Sequence, residues 1–324
     1  MSNQSLPVID FHIHHVPARF EPTTTCNFPP GQRERWAGVN RKLADEALLL
    51  RDIDEGDLAL RVVNTPAALI ADATGNVDRE LIVEINDVLA EVIGRHPRRL
   101  VGLATIDAYD GDRAAREVER AVRHLGFRGI FVDSARGKTL IDAPQARPAL
   151  RAAAELGVPV FVHPVNPEPL TTQLAPYGRL CTLLARGTVN SAALVALLET
   201  GVFTELPKLR VVVTMLAFGG LALAGGFSDH SRLPGGGLET LRRHVFIDTM
   251  GFAPALIRAS VDLLGAENVI AGSDWPIVND GPIQPILTRA LASAGLSEAE
   301  SRAVAAGNSA RLLGIAAWTQ AVVR

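Results

Sequence analysis

Three histidines stand at spacings that suit a metal ion: His12 and His14 in Asp10-Phe-His-Ile-His14, and His163 in Val160-Phe-Val-His163-Pro164. Alternate side chains of a strand share a face, so His12 and His14 point together while Phe11 and Ile13 pack behind them. A further apolar run, Asn268-Val-Ile-Ala-Gly-Ser-Asp274, ends in a carboxylate. Two imidazoles from one strand, one from a second and a carboxylate from a third make a donor set for one divalent cation, zinc first by its chemistry. Such an ion lowers the pKa of a bound water from 15.7 to roughly 7 and polarises a carbonyl. Asp274 closes a strand of Val, Ile, Ala and Gly, where a carboxylate is costly to bury without a cation or donors. It is therefore read both as a ligand and as the group that exchanges a proton with water or substrate. The competing reading is a metal-free cluster that hydrogen-bonds substrate directly.

Other candidates are weaker. Asp10, which opens the motif, is read as structural, bonding backbone or a neighbouring strand near the barrel floor. His15 is read as a residue that supports the ligands or belongs to a lid, and Asp248 as a strand-end carboxylate divided between structural and site roles. His230, in Phe227-Ser-Asp-His230, is the second catalytic candidate, because it sits in a long connection able to reach the mouth. His96, His124 and His244 fall at helix ends, where surface or cap roles are expected. Arg19, Arg136, Arg179 and Arg186 lie on mouth-side segments and could meet a substrate anion; the sequence does not rank them.

These residues need a scaffold that brings strand ends together. Strands are predicted at residues 8–12, 59–64, 100–106, 129–133, 159–163, 209–215, 245–249 and 269–273. Helical patterns fall between them at 79–95, 112–125, 147–156, 191–204, 253–264 and 283–294. Ser297-Glu-Ala-Glu300 is a capping box, and Gly126, Gly157 and Gly265 stand where helices end before a strand. Eight strand–helix units predict a (β/α)₈ TIM-like barrel, an α/β fold, formed as a single domain over residues 1–324. Its polar strand ends, His12/His14, Asn64, Asp107, Asp133, His163, Asp248 and Asp274, then gather at one mouth. Long connections at 16–40, 165–188 and 217–240 overhang that mouth as candidate lids. No Gly-x-Gly-x-x-Gly follows the first strand, which argues against a dinucleotide site.

Composition excludes several classes. A chain of 324 residues with 48% hydrophobic residues supports a large core, and a net charge of −3 with mixed signs leaves no footprint for nucleic acid. Cys26 and Cys181 form no framework, and no secretory signal or continuous apolar membrane stretch is read. The expectation is a soluble cytoplasmic protein with a small-molecule substrate and no nucleic-acid or membrane partner.

The motifs Asp10-Phe-His-Ile-His14, Leu156-Gly-Val-Pro-Val-Phe-Val-His163-Pro, Gly272-Ser-Asp-Trp-Pro276 and Gly307-Asn-Ser-Ala-Arg-Leu-Leu313 resemble the amidohydrolase-related family. The resembling branch includes aminocarboxymuconate semialdehyde and γ-resorcylate decarboxylases. The resemblance implies a distorted TIM barrel, a single zinc or manganese ion held by His12, His14, His163 and Asp274, and a homodimer or larger assembly. One departure stands out. Relatives carry a histidine at the end of strand six, whereas this chain has Met215 or Ala217 there. Neither can move a proton, which removes an effect on the order of 10²–10⁴-fold unless another group replaces it.

Two enzymatic expectations follow. The leading one is a metal-dependent hydrolase of a small cyclic amide, ester or lactone, with Asp274 taking the proton of a metal-activated water. The alternative is a non-oxidative decarboxylase of an aromatic or muconate-type carboxylic acid, with Asp274 delivering a proton to carbon. A third reading, a catalytically dead binding barrel, rests only on the missing strand-six histidine.

Overall fold

Eight short runs rich in Val, Ile and Phe form the parallel strands of a barrel: β1 (Ile9–His14), β2 (Leu60–Asn64), β3 (Leu100–Thr105), β4 (Gly129–Asp133), β5 (Val160–His163), β6 (Val211–Val213), β7 (Val245–Asp248) and β8 (Val269–Ile270). The computed structural model describes residues 6–20, 30–55, 57–70, 77–227, 236–279 and 281–315; His230 and Cys26 lie outside them. Each strand pairs in parallel with the next. The ring closes where the Phe11 amide donates to Ala271 O (2.9 Å), and the His14 amide to Trp275 O (2.9 Å). A small hairpin, Ala135–Arg136 with Thr139–Leu140, follows β4.

The lumen is filled by Ile9, Phe11, Leu60, Val62, Leu103, Phe131, Phe161, Val212, Phe246 and Ile270. Ala306, Ala310 and Leu313 close its floor. A second apolar layer lies outside, where Val8, Ile13, Val63, Val132 and Val213 meet the surrounding helices. The helices start as their caps direct: the Asp78 side chain accepts from the Leu81 amide at the helix Arg79–Arg95, and Ser297 and Glu300 form the capping box. Gly157 takes φ +70° as the helix Arg147–Leu156 ends.

The long connections are more ordered than expected. Helices Pro30–Leu43, Leu170–Leu174, Phe218–Phe227 and Gly237–His244 occupy parts of the three segments read as loops. The helix predicted at 191–204 instead runs Arg179–Glu199, because nothing between Gly178 and Thr200 breaks it. Gly187 is tolerated within it for close packing, since a Cβ there would lie 3.0 Å from Leu216 O. The helix stops at Gly201, whose φ of +75° no continuing helix accepts. By length and composition alone this helix could cross a membrane. Here Ala185, Val189, Ala193, Leu194, Leu197 and Leu198 are buried against the barrel. His244, expected at a surface or cap, is buried: its Nδ1 bonds Leu209 O (2.8 Å) and its ring stacks on Phe203.

One buried cation braces the first strands behind the site. Arg61 on β2 donates to Leu49 O (2.6 Å) and Asp52 Oδ2 (2.5 Å), and its guanidinium lies 4.3 Å above the Trp275 ring. Replacing one member of a buried pair strands the other's charge, at a cost of about 3–5 kcal/mol. Arg61→Leu is therefore expected to lower unfolding free energy by roughly that amount, and adding Asp52→Leu to recover part of it. Urea titrations of the single and double variants check this; equal losses from the two would contradict it.

Candidate metal centre

β1 carries an irregularity that aims its side chains. Asp10 faces Arg61 and Ile13 faces Val63, so three steps along β1 match two along β2. The extra residue is a bulge, a device that re-aims side chains beside active sites. Both Phe11 and His12 consequently face the lumen, Phe11 against Phe161 (6.0 Å between centroids) and His12 against the same ring (4.9 Å). The expectation that Phe11 packs behind the histidines is corrected by this bulge; Ile13 does pack outside. Asp10 turns outward and accepts from the Ser273 amide (3.0 Å) and Ser273 Oγ (2.6 Å), the structural role expected of it.

His12, His14 and His163 converge, one ring nitrogen of each lying within 4.8 Å of the others. Asp274 joins them, its Oδ1 3.5 Å from His12 Nε2 and 3.1 Å from His14 Nε2. The ring orientations are fixed from behind. His12 Nδ1 meets Asp248 Oδ2 at 2.6 Å, and His14 Nδ1 meets Asn64 Oδ1 at 2.8 Å. Asn64 is itself set by donating to Ile13 O (2.9 Å), and Asp248 Oδ1 accepts from the amides of Met215 (2.7 Å) and Met250 (3.1 Å). With both Nδ1 atoms donating, the Nε2 lone pairs point at the centre. His12 Nε2, His14 Nε2 and Asp274 Oδ1 are buried and have no hydrogen-bond partner. Acceptors facing acceptors in a desolvated space call for a cation, so these residues fit a single divalent ion.

Asp274 reaches the centre through an unusual backbone. Its φ is +56°, a left-handed conformation costing on the order of 1 kcal/mol for a non-glycine residue. Its amide donates to His12 O (2.8 Å), and its carbonyl accepts from Ile277 (2.8 Å) and Val278 (2.9 Å). Together with the Asp10–Ser273 bonds, these contacts hold the turn in place. Burial opposes ionisation of Asp274, but His12, His14 and Arg186 outweigh it and hold the carboxyl below its usual range. Burial, His14, Arg186 and His12 all push the His163 pKa well down, leaving a neutral imidazole fit to ligate. Asp133, opposite His163 on β4, is pushed up to about 6 by burial and by Asp107.

The remaining expectations sort clearly. His15 is buried behind β1, where burial lowers its pKa to about 4; neither ring nitrogen has a partner. Asp107 caps the turn at Tyr109 and pairs with Arg136. Met215 and Ala217 are buried apolar residues, and the strand-six end contributes a backbone amide to Asp248 instead of a proton-moving side chain. His230, offered as the replacement, lies outside the described residues. Asn64 was readable only as a polar strand end; its hold on His14 needs the β1–β2 register.

Supporting partners of metal-bound histidines are worth about 10–100-fold in metal affinity. Asp248→Asn is expected to weaken manganese or zinc binding by that order, read by chelator competition. Gly272→Ala should do more, because its Cβ would come within 2.8 Å of the Cβ of His12 and 2.9 Å of that of Asp248. Unchanged affinity in both variants would contradict the centre described.

Comparison with known proteins agrees with this geometry. The chain is 27% identical to a γ-resorcylate decarboxylase of Rhizobium sp. (strain MTP-10005) over 283 residues, 79% of this chain and 84% of that one. It is 25% identical to a 2-amino-3-carboxymuconate-6-semialdehyde decarboxylase of Dictyostelium discoideum over 246 residues, 72% of this chain and 67% of the other. Its fold is shared, at a TM-score of 0.79 and 23% identity, with a dihydroxybenzoic acid decarboxylase from Polaromonas sp. JS666 holding manganese and the inhibitor 2-nitroresorcinol; the match covers 95% of this chain and 97% of that one. These relatives overturn the leading expectation of a hydrolase: a metal-activated water and a decarboxylation can share one ligand set, and the matched enzymes perform the second. The amidohydrolase family profile spans residues 9–315, so this chain belongs to the amidohydrolase family.

Proposed function

We propose that this protein is a metal-dependent, non-oxidative decarboxylase of a small aromatic or muconate-type carboxylic acid. The observation that carries the proposal is a three-histidine, one-carboxylate centre in a chain 27% identical to a γ-resorcylate decarboxylase over 79% of its length. Activating a water calls for a base beside the ion, whereas decarboxylation calls for a proton donor aimed at carbon. Asp274, ionised at rest, can serve the second task by carrying the substrate's own hydroxyl proton to that carbon. The relatives' activities support the same reading.

His12, His14, His163 and Asp274 would hold the ion, which supplies a Lewis acid for a carboxylate and a neighbouring hydroxyl oxygen. Manganese, the ion of the neighbouring decarboxylase, is the proposed metal in place of zinc. Asp274, ionised at rest, takes the proton of the substrate hydroxyl and passes it to the ring carbon that bears the carboxylate. The carbon–carboxylate bond then breaks, its electron pair restores the aromatic ring, and CO₂ leaves. Asp248 and Asn64 keep the imidazoles aligned throughout. Phe131 and Phe161 are buried beneath His163 and His12 and pack against their rings from the lumen side.

The test is CO₂ release from metal-loaded protein across hydroxybenzoates, 5-carboxyvanillate and 2-amino-3-carboxymuconate semialdehyde. Chelation should abolish turnover and added manganese restore it. Asp274→Asn should cost about 10²–10⁴-fold in kcat. Solvent ¹⁸O in the product without CO₂ would contradict the proposal.

A further inference from the structure

Among the described residues, Arg186 is a half-buried mouth-side guanidinium with no carboxylate within ion-pair distance. Arg19 pairs with Glu84 (2.5 Å) in solvent, Arg136 is engaged by Asp107 beside Tyr109, and Arg179 is exposed at the start of its helix. Arg186 differs. Four residues on, Asn190 donates to Val162 O (3.1 Å) and accepts from Thr214 Oγ1 (3.0 Å), pinning this face of the helix to β5 just before His163. Arg186 lies four residues earlier on the same face, about 6 Å nearer the mouth. Its Nη1 is 3.3 Å from Oδ1 of Asn166, three residues past His163. Among the described residues no carboxylate comes within ion-pair distance of it.

Its surroundings point the same way. Burial lowers the Arg186 pKa while Asp274 and Asp133 act against that loss, so the charge is felt at the ligand-bearing end of the barrel. Of the five N–H donors of a guanidinium, Asn166 occupies one. A carboxylate offers two coplanar acceptors that match the fork.

We propose that Arg186 is the anion anchor of the site, gripping the carboxylate of an aryl or muconate-type acid bound at the His12/His14/His163/Asp274 centre. The identity of that acid rests on the decarboxylase reading; the anchor itself is testable without turnover. Arg186 touches substrate and confers preference for a carboxylate over a neutral isostere.

Titration calorimetry of metal-loaded protein with salicylate and salicylamide tests it. Wild type should prefer salicylate, and Arg186→Met should weaken salicylate roughly 10- to 100-fold while leaving salicylamide unchanged. Arg186→Lys, which keeps the charge without the fork, should fall between. Metal content and Tm should match wild type in both variants. No salicylate binding by wild type, unchanged salicylate binding in Arg186→Met, or equal loss of both probes overturns the anchor. If no acid releases CO₂ yet Arg186→Met still loses salicylate selectively, the anchor stands and the decarboxylase reading falls. If Arg186→Met releases CO₂ at wild-type KM, the reverse holds.

Discussion

Two imidazole lone pairs and a carboxylate oxygen are buried facing one another at the mouth of the barrel, and among the described residues none of the three has a hydrogen-bond partner. Left alone, that arrangement sets desolvated acceptors against each other, at a cost of several kcal/mol. A divalent cation reverses its sign. The surrounding structure is intelligible as the means of imposing this otherwise unfavourable cluster.

Three of the four candidate ligands, His12, His14 and Asp274, are fixed from behind. Asp248 and Asn64 set the two β1 imidazoles, and Asp248 is in turn held by two backbone amides. The β1 bulge lets Phe11 seal the lumen while His12 enters the site one residue later, and it frees Asp10 to clamp Ser273. Ser273 precedes the left-handed Asp274, so one strand supplies two candidate ligands and steadies the turn that supplies another. Arg61, stacked on Trp275, braces the same turn from outside.

Much of this was legible in the sequence. Short Val/Ile/Phe runs ending in polar residues gave the strand ends, and a parallel barrel brings those ends together whatever the connections do. Less legible were features set by register or by helix starts. A single extra residue in β1 reverses which neighbours of His12 face the lumen, and alternation alone misplaces Phe11. Arg186 could not be ranked above Arg19, Arg136 or Arg179 while its helix was expected to begin at residue 191. The chemistry was ambiguous for another reason. Three imidazoles and a carboxylate serve an attacking water or a departing CO₂ equally well, and the difference lies in which neighbouring groups move protons. The missing histidine at Met215 or Ala217 does not separate the two, and the hydrolase expectation is overturned by the decarboxylase relatives.

The proposed chemistry depends on one ion at one place. Diffraction from crystals of the manganese-loaded protein, recorded at the manganese absorption edge, locates that ion directly. A single anomalous peak bonded to Nε2 of His12 and His14, a ring nitrogen of His163 and the Asp274 carboxylate is the predicted result. A peak bonded elsewhere, or imidazoles splayed beyond coordination distance with no peak among them, would contradict it.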